Sequence, residues 1–129
     1  MNAAADTVWQ TVRDFNGLGA YVAAVANSSV DGSEVGCTRT LTLQNGAIIV
    51  EKLERFDDQG KALDYSIVSG PLPVEQYLST IAVTAVGPSQ CEVNWSSTFA
   101  PKGVSAEQAE EVISGIYTMG FDGLGKLFA

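Results

Sequence analysis

Apolar positions recur every second residue through the middle of the chain and every third or fourth residue at its two ends. Residues 4–15 put Val8, Trp9, Val12 and Phe15 on one helical face, with Asp6 in the first turn and Asn16-Gly17 as the stop. Residues 18–25 are apolar and alanine-rich and predict a second short helix. The period then changes to two. Strands are predicted over 26–30, 36–43, 47–56, 62–69, 74–86 and 91–99, joined by turns rich in Gly, Asp, Asn and Pro. Two short helices, a run of antiparallel strands and one long helix make an α+β layout, with the helix laid on one face of a curved sheet.

The turn at Asn45-Gly46 decides which side chains share a face. Arg39, Leu41 and Leu43 alternate with Thr38, Thr40 and Thr42, so the leucines mark the inner face. A two-residue loop sets Val50 and Lys52 beside Leu41 and Arg39. A three-residue loop, Gln44-Asn45-Gly46 with Gly46 left-handed, sets Ile49 opposite Leu41 and Glu51 opposite Arg39. The second is preferred, because it places a carboxylate opposite a guanidinium.

The closing stretch, residues 105–129, is the longest periodic segment. Ser105 and Gln108 form a capping-box pattern. Glu107, Glu110 and Glu111 in the first turns and Lys126 near the end match the helix dipole. Ala109, Val112, Ile113, Ile116, Tyr117, Gly120, Leu124 and Leu127 share one face. Gly115, Gly120, Gly123 and Gly125 lie inside it, each costing about 1 kcal/mol relative to alanine. Two readings stay open: the helix frays or kinks after Gly120, or the missing side chains leave inner space for something that is not protein. Gly120 lies on the Val112–Ile116 line and is the best placed for such a gap.

At 129 residues the chain has the length of one domain that buries a real core. A net charge of −8 argues against nucleic acid and against an anionic membrane. No apolar run reaches membrane-spanning length and the N-terminus has no signal-like pattern, so a cytoplasmic protein without membrane insertion is expected. Cys37 and Cys91 match no metal spacing and are expected as thiols in a reducing compartment. The chain contains no histidine, which removes Ser-His-Asp and Cys-His schemes and the usual zinc and iron ligand sets. No phosphate-cradling or dinucleotide loop is present, and no metal or cofactor is expected. Any chemistry rests on carboxylates, tyrosines, arginine or water.

The segments DTVWQTVRDF (6–15), GCTRT (36–40), NGAIIVEKLERFDD (45–58) and YSIVSGPLPVEQY (65–77), with the closing helix, occur in an order and spacing that cover nearly the whole chain. The chain resembles the polyketide cyclase/dehydrase-like branch of the START or birch-pollen-allergen (SRPBCC) superfamily. That resemblance implies a helix-grip fold: a curved antiparallel sheet wrapped around a long C-terminal helix, with two short N-terminal helices. It implies a cavity between sheet and helix, facing Leu41, Leu43, Ile49, Glu51, Tyr65, Ile67, Tyr77, Ser79, Val112, Ile116 and Gly120. The chain is also similar to plant abscisic-acid receptors, in which the loop matching 44–47 is a gate and the loop matching 70–74 a latch. Asn45, Gly46, Pro71, Leu72 and Pro73 are thus expected at the entrance. The receptor's carboxylate-binding lysine falls on Val22, and its latch histidine and arginine on Leu72 and Pro73, so hormone recognition and phosphatase inhibition are not implied. The family's usual first strand is missing from the predicted elements. An unpaired sheet edge is therefore expected, through which a homodimer could form.

Polar residues on the apolar face carry the functional readings. Arg39 and Glu51 form either a structural ion pair closing one end of the barrel, a ligand anchor, or an acid–base pair in a dry pocket. Tyr65, Tyr77 and Tyr117 either pack and bond locally or orient a polar ligand group. Trp95 and Phe99 are expected in the core. The favoured function is binding of a small hydrophobic or aromatic, lipid- or polyketide-like molecule. The alternative is an aromatase/cyclase- or dehydratase-type enzyme using Glu51, Arg39 and a tyrosine. A third reading, an accessory subunit, follows from relatives that resemble helpers of methanol-oxidation systems.

Overall fold

The computed structural model describes all residues, Met1–Ala129. A short helix α1, Ala5–Val12, opens the chain and buries Ala5, Val8, Trp9 and Val12. Six strands follow: β1 (Val25–Val30), β2 (Thr38–Leu43), β3 (Ile48–Asp57), β4 (Ala62–Ser69), β5 (Val74–Gly87) and β6 (Gln90–Pro101). The chain closes with helix α2, Ala106–Leu127. All strand pairs are antiparallel and lie in sequence order, because each connection is a short hairpin. The α+β helix-grip layout is therefore present. Neither helix is long and apolar enough to cross a membrane.

Two N-terminal expectations are corrected. The first helix stops at Val12, short of Phe15. The predicted second helix is only a 3-10 turn, Leu18–Ala20. Its residues are apolar because they cap the core: Leu18, Tyr21, Val22 and Val25 are all buried.

The β2–β3 loop is the three-residue form. Leu41 pairs with Ile49 and Arg39 with Glu51. Gly46 has φ +87°, a left-handed conformation that glycine adopts without strain. A bulge in β5 between Glu75 and Leu78 re-phases that strand. Gln76 sits there at φ +54°, and Val74 and Tyr77 both face inward although three positions apart.

The core fills the space between the concave sheet face and α2, with α1 packed near one end. β1 and β6 are the two sheet edges. At the β6 edge Met1 makes two bonds to Cys91, its ammonium donating to the Cys91 carbonyl at 2.8 Å and its own carbonyl accepting from Cys91 N at 3.1 Å. The capping box forms as the sequence indicates: Ser105 Oγ accepts from Gln108 N, and Gln108 Oε1 from Ser105 N. The helix does not fray after Gly120 but continues to Leu127.

Candidate functional site

The β2–β3 register brings Arg39 and Glu51 together on the inner face, both buried. Arg39 Nε donates to Glu51 Oε1 at 2.8 Å, and Nη2 lies 2.7 Å from the same oxygen. Arg39 Nη1 donates to the Phe15 carbonyl at 2.9 Å. The guanidinium also lies over two rings, 4.1 Å from the Phe15 centroid and 4.8 Å from that of Tyr65. Arg39 is thus held from several sides at once.

Both contacts to Glu51 fall on Oε1. Glu51 is 6% exposed, yet no fully inaccessible side-chain polar atom lacks a hydrogen-bond partner. Oε2 has no hydrogen-bond partner in the protein and keeps some accessible surface. Burial pushes the Glu51 carboxyl above the usual carboxylate range, with Arg39 pulling it back. Burial acts to lower the Arg39 pKa, but Glu51, with Tyr65 and Tyr21, holds it above its ordinary value.

Glu51 lines a cavity of about 70 Å³ between the sheet and α2. The sheet wall is Leu41, Leu43, Ile49, Glu51, Tyr65, Ile67, Tyr77 and Trp95. Opposite lie Ile113 and Ile116 of α2, and Leu18, Val22, Ala24 and Val25 from the stretch leading into β1. Leu72, on the β4–β5 loop, completes it.

Behind this wall runs a chain of hydrogen bonds. Trp95 Nε1 donates to Tyr65 OH and to Ser79 Oγ, each at 3.0 Å. Ser79 Oγ donates to the Ser96 carbonyl at 3.1 Å and lies 3.0 Å from Tyr117 OH. Ser79 has a single proton, so Tyr117 donates to Ser79 and Tyr77 donates to Tyr117. Burial raises the pKa of Tyr65 and Tyr77, and pushes that of Tyr21 up to about 12, so all three keep their protons.

Most of the residues expected to face a ligand line the cavity: Leu41, Leu43, Ile49, Glu51, Tyr65, Ile67, Tyr77 and Ile116. Three do not. Val112 is 38% exposed, about a quarter turn round α2 from the buried line through Ala109, Ile113, Gly120 and Leu124; Ile113 takes its place. Gly120 faces inward, but a Cβ there would lie 2.5 Å from Trp95 Cζ3, so the indole fills the gap left for a ligand. Ser79 is fully buried and bonded behind Trp95. Arg39 is outside the lining and supports Glu51 from behind.

Of the expected entrance residues only Leu72 touches the cavity; Asn45, Gly46, Pro71 and Pro73 do not. The hairpin tip is tied to the stretch before β1, with Gln44 N donating to the Ala24 carbonyl at 2.9 Å. Sequence reasoning missed Leu18, Val22, Ala24, Val25 and Ile113 as lining residues, and assigned Trp95 to the core alone. Ile113 was on the predicted helix face, but periodicity does not show which edge of a broad stripe faces a hole.

Residues 1–129 match the family described as "Polyketide cyclase / dehydrase and lipid transport". The protein XoxI from Bacillus cereus is 34% identical, with a TM-score of 0.93 over 99% of this chain and 89% of its own. An uncharacterised protein from Bacillus thuringiensis is likewise 34% identical, at TM-score 0.93 over 99% of this chain and 93% of its own. Norcoclaurine synthase from Thalictrum flavum, solved with dopamine and hydroxybenzaldehyde, has a TM-score of 0.78 at 22% identity, over 98% of this chain and 80% of its own; there the likeness is one of fold alone. With a match along its whole length and the sheet, closing helix and cavity described above, this chain belongs to the polyketide cyclase/dehydrase and lipid transport family.

Proposed function

We propose that the protein binds a small hydrophobic or aromatic molecule in the cavity between the sheet and α2. The observation that carries this reading is an apolar cavity with one buried carboxylate in its wall. An apolar guest recovers about 25 cal/mol for each Å² it buries against this mostly apolar wall.

Size narrows the guest. The cavity, about 70 Å³, is well below the ~300–1,000 Å³ of pockets that hold drug-sized ligands. It is also smaller than the ~150 Å³ cavity known to take up benzene. A polyketide chain does not fit. A single ring requires the wall to yield, and Leu72, the half-buried lining residue on the β4–β5 loop, is the side chain proposed to move outward.

The test is thermal unfolding in saturating benzene, beside the variant Ile116→Phe, which fills the cavity from α2. Wild type is expected to melt higher with benzene and the folded variant to lose most of that gain. An equal gain in both would reject the cavity as the binding site. Native mass spectrometry of freshly purified protein would show a co-purified guest directly.

A second reading, an aromatase/cyclase- or dehydratase-type enzyme, is favoured by one observation. Glu51 carries an oxygen without a hydrogen-bond partner beside the cavity, and burial raises its pKa above the ordinary carboxylate value. Under that reading Glu51 moves the proton, Arg39 positions it, and Tyr65 stands beside them. Glu51→Gln should then abolish turnover of a small aromatic polyketide analogue while leaving benzene affinity nearly unchanged. Turnover equal to wild type would reject Glu51 as the base.

A further inference from the structure

We infer that the ligand is a neutral molecule of about one ring bearing a hydroxyl group, and that this hydroxyl donates its proton to Glu51 Oε2. This rests on the binding reading above and adds the chemistry of the guest.

The cavity wall has few polar side chains, and all but one of their polar atoms are already engaged. Tyr65 OH accepts from Trp95 Nε1. Tyr77 OH is bonded to Tyr117 OH. Trp95 Nε1 is shared between Tyr65 and Ser79. Glu51 Oε1 receives Arg39. Glu51 Oε2 alone has no hydrogen-bond partner in the protein, although the side chain is only 8% exposed. Oε2 keeps accessible surface, so a guest that supplies a donor can reach it and bond to it.

The charges decide which donor. Arg39 already neutralises Glu51 at 2.7 Å, so the pair is a closed dipole in an apolar wall. A guest ammonium would add an uncompensated positive charge and lose its hydration. A guest carboxylate would set its own lone pairs against Oε2. A hydroxyl adds no charge, and its bond to an ionised oxygen is of the stronger, charge-assisted kind. Arg39 lies outside the lining, and each of its three nitrogens already contacts Glu51 or the Phe15 carbonyl.

The experiment is a calorimetric titration of wild-type protein with benzene, phenol, benzoate and benzylammonium. Phenol is expected to bind at least tenfold more tightly than each of the other three. Phenol no tighter than benzene overturns the inference while leaving the cavity reading intact. Benzylammonium or benzoate tighter than phenol also overturns it. Binding of none of the four removes the cavity reading and this inference together. In Glu51→Gln, Arg39 keeps the amide oxygen and turns the NH₂ donor toward the guest. The phenol advantage over benzene should fall below about threefold, and benzaldehyde, an acceptor, should overtake phenol. A Gln variant that retains the full phenol advantage overturns the inference. Should that variant fail to fold, the wild-type series decides alone.

Discussion

A methyl group at Gly123 would collide with the backbone carbonyl of Tyr21, and one at Gly120 with the indole of Trp95. At Gly115 and Gly125 it would meet nothing. Four glycines that look alike along the helix thus do different jobs. Two let α2 approach the turn before β1 and the β6 wall. The other two only lower helix propensity. Gly123→Ala is expected to destabilise the fold by about 3 kcal/mol, since backbone cannot yield as a side chain can. Gly115→Ala should stabilise it by about 1 kcal/mol. Chemical denaturation of both checks this; a Gly123→Ala protein as stable as wild type would mean that α2 is not held against Tyr21. The glycines were legible in the sequence as a departure from helix propensity. Their meaning was not, because propensity does not say what lies opposite.

At the scale of elements, the β2–β3 hairpin was the most legible part of the molecule. Leucine alternation, Asn45-Gly46 and a carboxylate facing a guanidinium agreed on one register, and the pairing of Arg39 with Glu51 follows it. The energetics of such a pair are lopsided: two burial costs are offset only while both partners are present. Arg39→Met alone should cost about 3–5 kcal/mol, because it strands a buried carboxylate. The double variant Arg39→Met/Glu51→Leu should recover most of that loss. Urea midpoints of the three proteins measure this, and a double variant as unstable as the single one would show that the loss comes from packing over Phe15 and Tyr65 instead. The α2 start was equally legible through Ser105 and Gln108. The rotation of α2 was not: Val112 and Ile113 are both apolar neighbours on the stripe, and only contact with the sheet chooses Ile113.

For the whole molecule, the outer sheet face sets part of the acid response. Asp64 of β4 accepts from Arg55 at 2.9 Å and from Thr80 at 2.7 Å. The Arg55 hydrogen bond comes first in holding its carboxyl below the ordinary value, partial burial opposing. The folded protein therefore releases this proton at lower pH than the unfolded chain does. The resulting stability is full above the unfolded pKa near 3.8 and is lost as pH falls through the lower, folded value. Asp64→Asn should show a shallower fall in Tm between about pH 4 and pH 2 than wild type. Identical slopes would remove Asp64 from the acid response.

Local patterns determined the order of the strands and the closing helix, the β2–β3 register, the helix cap and the inward faces of β2, β3 and β4. Each of these depends on neighbours a few residues away, through alternation, turn geometry and hydrogen bonds within reach. The resemblance read from segment order supplied the cavity between sheet and helix. Tertiary packing alone decided how large that cavity is. Trp95 lies against Gly120 and closes the space the glycine left. Ser79 turns away to bind Trp95 and Tyr117. Leu18, Val22 and Val25 arrive from the far end of the chain to make the opposite wall. The same packing commits Glu51 Oε1 to Arg39 and leaves Oε2 open. Which oxygen stays free depends on side chains distant in sequence meeting at one point, and no period along the chain encodes that meeting.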